Sequence, residues 1–137
     1  MNIQGTWYNE LGSVMNIAVN GSVISGKYES AVGGAAGQVF PLSGMVDQTA
    51  GSTSQSVGFT VIWNNGQNDY QSATGWCGQL QSIGGQDTIT AMWLLNSETE
   101  PSSNWASTLI GQDVFTRTPP IEAQAAELRK KHPYRHW

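Results

Sequence analysis

Along this chain several hydrophilic side chains fall in step with apolar ones, and that is where any chemistry must lie. Val57, Phe59, Val61 and Trp63 take alternate positions and therefore one face of a strand. Asn64 to Gln71, with Asn-Asn-Gly at its start, has the composition of a chain reversal. The returning strand puts Ser72, Thr74 and Trp76 on the same face, where an ordinary core would carry Val, Ile or Leu. The same alternation elsewhere adds Asn9, Ser13, Tyr28, Ser30 and Asp113, beside Trp63, Trp93 and Leu95. Burying such groups without partners costs roughly 1–3 kcal/mol each, so water or a ligand has to satisfy them. An amide, hydroxyls, a phenol and a carboxylate inside an indole-walled space suit recognition of a small polar molecule.

Catalysis finds less support. Covalent or acid–base chemistry needs a nucleophile beside a base, a pair of acids or a metal. Both histidines, His132 and His136, sit in the last residues, and neither Gly-x-Ser-x-Gly nor His-Glu-x-x-His occurs. The single cysteine, Cys77, cannot form an intramolecular disulfide and has no neighbouring ligand at metal-binding spacing. It falls opposite the polar face and reads as a small filler, buried or facing outward. The chain is expected to be non-enzymatic, without a cofactor or metal.

The elements that must position these residues are strands. Gly5 to Leu11 carries Trp7, Asn9 and Leu11 on one face, and after Gly12 the parity continues through Ser13, Met15, Ile17 and Val19. Asn20-Gly21 predicts a type I′ hairpin turn, leading to a third strand over Ser22 to Ser30. Ala31 to Gly37 is small and glycine-rich, a candidate lid that a ligand would order. Gln38 to Val46 predicts a fourth strand, in which Pro41 demands an edge, a bulge or an outward N–H. Asp47 to Gln55 reads as a polar turn before the central hairpin. Gln86 to Leu95 predicts a seventh strand, Asn96 to Asn104 a polar loop with Pro101, and Trp105 to about Thr116 an eighth. Eight short strands on short connections favour an all-β, eight-stranded antiparallel up-and-down barrel, which leaves no open edge. A two-sheet sandwich fits the strand count but gives no reason for polar residues in register with the apolar ones.

Composition agrees. The 137 residues make one domain, with 12% charged residues and 16 glycines. A net charge of −4 leaves no footprint for nucleic acid, and no run of about 18 apolar residues predicts a membrane span. Residues 1–116 are read as the barrel and 117–137 as a C-terminal tail, partly helical or disordered, with helix formers over Ile121 to Lys131 behind Pro119 and Pro120.

The series Gly5-Thr-Trp-Tyr-Asn, Leu11-Gly-Ser, Tyr28-Glu-Ser-Ala-Val-Gly, Trp63, Ser72-Ala-Thr, Trp76, Gly78-Gln, Trp93-Leu-Leu, Trp105 and Asp113-Val-Phe resembles the avidin and streptavidin family of biotin-binding proteins, from Gly5 to about Thr116. The resemblance implies that Asn9, Ser13 and Tyr28 donate to the ureido oxygen of biotin while Ser30 and Asp113 accept from its two N–H groups. It implies Thr74 against the ring sulfur, Ser72 with the backbone near Gly33 and Gly34 on the carboxylate, and Leu11, Val32 and Leu95 lining the site. Trp63, Trp76 and Trp93 would wall the bicyclic ring, whereas Trp7 reads as plain core. Trp105 has a counterpart that closes a neighbouring subunit's site, which implies a homo-oligomer, most simply a tetramer. Gly34 stands where streptavidin has an asparagine, implying backbone contact alone and a looser lid.

By the same resemblance the protein is expected to be secreted, with Met1 a start left after removal of a signal peptide, and to sequester the vitamin. The tail does not match, and Tyr134 or Trp137 is expected to dock in or beside a pocket when biotin is absent. A carbohydrate-binding or other small-ligand barrel, and a barrel serving chiefly as an assembly unit, stay open as alternatives.

Overall fold

The computed structural model describes residues 1–131. Eight strands, β1 (Gly5–Asn9), β2 (Val14–Asn20), β3 (Val23–Glu29), β4 (Val39–Val46), β5 (Ser54–Asn64), β6 (Asp69–Ile83), β7 (Gln86–Ser97) and β8 (Thr108–Thr116), pair in chain order and close into a barrel. Every pairing is antiparallel, including the closing one between β1 and β8. The expected barrel is therefore the observed one.

Local chemistry accounts for most of the turns, with one shift. Asn20 remains in the ladder opposite Val23, so the connection is Gly21-Ser22, one residue later than expected. Gly21 alone has positive φ, 64°, which is the pattern of a type II′ turn with glycine first, not of the expected I′. Pro41 is tolerated because the β4–β5 register begins only at Leu42↔Val61; Pro41 pairs with Lys27 alone and forfeits no bond to β5. Several boundaries also move. Ser54 and Gln55 belong to β5 and Asp69 to Gln71 to β6, so the turns around the central hairpin are shorter than their composition implied. The expected eighth strand begins at Thr108, because Pro101 starts a 3-10 turn over Pro101–Ala106 that includes Trp105.

The two ends of the barrel differ. One is plugged by buried apolar side chains, among them Ile3, Trp7, Ile17, Ile24, Leu80, Ile89 and Phe115. Trp7 is core, its Nε1 donating to Ile3 O at 2.7 Å. The closing seam is short, since β1 and β8 share only Tyr8↔Thr116 and Asn9↔Phe115. Arg117 reinforces it by donating to Thr6 O at 3.2 Å and Asn2 O at 2.6 Å, with its guanidinium 3.7 Å from the Trp7 ring centroid. Where β1 turns away, Glu10 supplies a carboxylate oxygen to Val114 N at 3.1 Å in place of a ladder carbonyl.

Beyond the barrel, α1 (Glu122–Lys131) starts with an acid and ends with Arg129, Lys130 and Lys131, as the helix dipole favours. It is docked. Ala125 is fully buried, Arg129 pairs with Glu122, and its Nη1 donates to Leu11 O at 2.6 Å. Cys77 is exposed on the outer surface, as the outward reading of its parity required.

Candidate functional site

Antiparallel register carries the polar residues to one end. Asn9 ends β1, Ser13 precedes β2, and Tyr28 and Ser30 lie at the close of β3. Ser72, Thr74 and Trp76 open β6, Trp93 and Leu95 close β7, and Asp113 lies just past the middle of β8. In antiparallel strands these are the same end, opposite the apolar plug. All are buried, Asn9 at 3%, Ser13 at 1%, Ser30 at 2% and Asp113 at 1% exposure.

Each hydrophilic group is held by the framework on one side, and that decides what it offers on the other. Asn9 Oδ1 accepts from Leu11 N at 3.0 Å and Ser13 N at 2.9 Å, so its amide NH₂ is turned inward, where it donates to Tyr28 Oη at 3.4 Å. Accepting that bond orients the Tyr28 hydroxyl to donate onward. Ser13 Oγ accepts from Ala31 N at 2.9 Å, which leaves its proton able to donate to the interior. Ser30 is the reverse case: its Oγ donates to Val32 O at 2.9 Å and also accepts from Val32 N at 3.1 Å, so only a lone pair remains to present. Asp113 Oδ2 accepts from Trp76 Nε1 at 2.8 Å. Asn9 is thereby set as a donor and Ser30 and Asp113 as acceptors, while the Ser13 and Tyr28 hydroxyls keep the capacity to donate.

The aromatic walls are equally constrained. Trp63 Nε1 donates to Thr74 Oγ1 at 2.8 Å, and the Trp63 ring meets Tyr28 edge-on at 5.6 Å and Phe40 at 5.0 Å. Trp76 stacks on Phe59 at 5.0 Å with 15° between planes and touches Tyr28 at 5.2 Å. Trp93 lies across β8 opposite Gly111, where a Cβ would come within 2.2 Å of Cζ2 of the indole. Only glycine lets that ring lie there.

Ten of the sequence-predicted residues meet on this inner face: Asn9, Ser13, Tyr28, Ser30, Trp63, Ser72, Thr74, Trp76, Trp93 and Asp113. Leu11 and Leu95 are buried at the same end, while Val32, Gly33 and Gly34 lie in the β3–β4 loop, the two glycines exposed. Trp105 is not brought in; it stands 86% exposed on the outside. Tyr134 and Trp137 lie outside the described residues. Four participants escape a reading by alternation. Tyr70 and Gln38 bond the β3–β4 loop, Tyr70 Oη donating to Gly34 O at 3.0 Å and accepting from Gln38 Nε2 at 2.6 Å. Gly111 shapes the wall and Arg129 holds Leu11. A glycine on the inward parity of β8 was the available signal for the third; Arg129 had none, because its partner is a backbone carbonyl far away in sequence.

No group of three or more His, Cys, Asp or Glu fit to hold a metal occurs among the described residues, and no helix there is long and apolar enough to cross a membrane. In comparisons with known proteins, the model of the avidin family matches residues 1–118. Avidin-related protein 4/5 of Gallus gallus is 35% identical over 126 residues, covering 88% of this chain and 80% of its own length. Avidin of the same organism is 33% identical over 121 residues, 84% of this chain and 77% of avidin. Afifavidin of Afifella pfennigii is 31% identical over 117 residues, 83% of this chain and 68% of its own.

Proposed function

The chain belongs to the avidin family, whose members are non-enzymatic biotin-binding proteins, and from that premise we propose that it holds biotin non-covalently and with high affinity in the polar end of the barrel. The observation that carries this reading is the direction of the framework bonds. A cyclic urea presents one acceptor oxygen flanked by two N–H donors, so it needs converging donors with an acceptor on either side. Asn9 Nδ2, Ser13 Oγ and Tyr28 Oη are disposed to donate, while Ser30 Oγ and the Asp113 carboxylate are disposed to accept. An acceptor pulling on each N–H while donors pull on the oxygen polarises the urea from both sides, strengthening every bond in a site closed to bulk water. Thr74 meets the ring sulfur, and Trp63, Trp76, Trp93, Leu11 and Leu95 enclose the bicycle. Ser72, Val32, Gly33 and Gly34 take the valeryl chain and its carboxylate.

A homotetramer is the assembly we infer, with Trp105 lying over a neighbour's site. An indole 86% exposed costs water contact that a partner subunit would remove. The outward positions through the middle of β5 to β8, such as Gly58, Gly75, Cys77, Met92, Leu94 and Ile110, carry no charge, and Met92, Leu94 and Ile110 are 54%, 50% and 72% exposed. Export followed by sequestration of the vitamin is the physiological role that fits a binder without catalytic groups. Calorimetric titration with biotin tests the central reading, with one site expected per chain and quenching of tryptophan fluorescence. Heat with a panel of sugars and none with biotin would return the barrel to the carbohydrate-binding class.

A further inference from the structure

We propose that Tyr70 is the latch of the β3–β4 loop, a positioning residue that holds Gly34 over the mouth of the barrel and sets how fast a ligand with an acidic chain departs. This rests on the biotin-binding reading for its ligand, though not for the latch itself. The loop is internally bonded: Gly37 N donates to Ser30 O at 2.8 Å, Gln38 N to Ala35 O at 3.0 Å, and Ala35 is fully buried. It therefore moves as a unit, and what ties that unit to the barrel decides whether it opens. The tie is a run of donors. Asn68 Nδ2 and Asn65 Nδ2 donate to Gln38 Oε1 at 2.8 and 3.3 Å, Gln38 Nε2 donates to Tyr70 Oη at 2.6 Å, and Tyr70 Oη donates to Gly34 O at 3.0 Å.

Each member polarises the next, so the run is stronger than isolated pairs. The Tyr70 ring meets Phe40 at 6.2 Å and 65°, and Phe40 is fully buried where the loop rejoins β4, so the phenol is anchored in the core. Gln71, next along, is the sole non-glycine with positive φ among the described residues, 50°, and is clamped by Glu98 N donating to its carbonyl at 2.8 Å. That clamp fixes the backbone between the latch and Ser72. One hydroxyl thus joins both sides of the opening through which a carboxylate tail passes.

Tyr70→Phe keeps the ring and removes both hydroxyl bonds. Amide hydrogen exchange without ligand should speed up about five- to tenfold at Gly37 and Gln38 while β7 amides stay unchanged. Biotin should dissociate about five- to tenfold faster, whereas affinity for the bicyclic urea without its valeryl chain should be preserved. Gln38→Ala should mimic Tyr70→Phe, and the double variant should add little, since both cut the same run. Unchanged loop exchange overturns the latch. So does equal weakening of both ligands, which would make Tyr70 part of the ring site. If the unaltered protein binds no biotin the proposed function fails, and the exchange experiment still decides the latch.

Discussion

Replacing Asp113 by asparagine isolates the direction of a single hydrogen bond. Asp113 is 1% exposed and its Oδ2 accepts from Trp76 Nε1 at 2.8 Å. Asparagine is nearly isosteric, and because the indole can only donate, the new side chain must turn its carbonyl oxygen toward Trp76. Its NH₂ then points where the carboxylate's second oxygen presented an acceptor. A ureido N–H arriving there loses a charge-assisted bond worth about 1.5–3 kcal/mol and meets a donor, leaving a buried polar group unsatisfied at about 1–3 kcal/mol more. Together these give a loss of about 2.5–6 kcal/mol, or roughly 10²–10⁴ in Kd. The indole bond survives, so the melting temperature of the ligand-free protein should change by only a few degrees. Competition calorimetry against a weaker biotin analogue measures the loss, and a thermal melt controls for folding. A Kd within threefold of the unaltered protein would mean that Asp113 does not face the urea, and the assignment of roles would fall with it.

The remaining expectations concern groups that act through others. Gly111→Ala places a methyl carbon within 2.2 to 2.9 Å of the Trp93 ring, so the indole must swing out of the wall; we expect about 1–3 kcal/mol lost in stability, weaker biotin binding and a shifted fluorescence spectrum. Arg117→Met keeps contact over Trp7 but deletes the bonds to Asn2 O and Thr6 O. Burial lowers the Arg117 pKa, with Asp87 opposing, so its charge carries a desolvation cost that methionine is spared. The net loss in denaturant unfolding should therefore be modest, about 1–2 kcal/mol. A lowered folded-state pKa also means that stability linked to Arg117 rises as pH climbs through the window just below the ordinary arginine value, and is unaffected near neutrality. Arg129→Ala frees Leu11 O and should raise amide exchange at Leu11 and Ser13, weakening biotin about three- to tenfold without altering the barrel's far end. Equal exchange throughout would show that α1 rests on the turn without holding it.

Alternation made the barrel legible, because a residue that faces inward in an antiparallel strand is named by parity alone. Val57 to Trp63 and Ile89 to Leu95 show this: their whole inward sets are buried. Composition misleads at Tyr70, which reads as part of a turn although it shares the parity of Ser72 and its hydroxyl bonds Gly34 O. Parity fails where the backbone leaves the extended region. At Trp105 the odd positions run on smoothly toward Ser107 and Leu109, yet Pro101 opens a 3-10 turn and the indole ends outside the barrel. The Asn20-Gly21 pair suffers from a subtler ambiguity, since a glycine satisfies either primed turn and only the pairing of Asn20 with Val23 separates them. Contacts that depend on distant backbone atoms, such as Arg129 on Leu11 O, have no local pattern to betray them.

What the polar end adds to its composition is commitment. A serine hydroxyl in isolation donates or accepts with equal ease, and the two serines here are chemically identical. Ser13 accepts from Ala31 N and keeps its proton to give, whereas Ser30 gives its proton to Val32 O and is left to accept. The difference comes from where β2 starts and where β3 ends, not from the side chains. Because these bonds exist before a ligand arrives, little rotational freedom is left for binding to remove, and that saving is available as affinity. It also defines selectivity: a ring that offers two acceptors around a donor, the inverse of a urea, would face like against like at Asn9, Ser13 and Asp113 and be rejected by several kcal/mol on the order of 1–3 per mismatched group. Exchanging the two roles would take more than a serine substitution. The Ala31 and Val32 amides would have to move, and they belong to the same bonded loop that Tyr70 ties down.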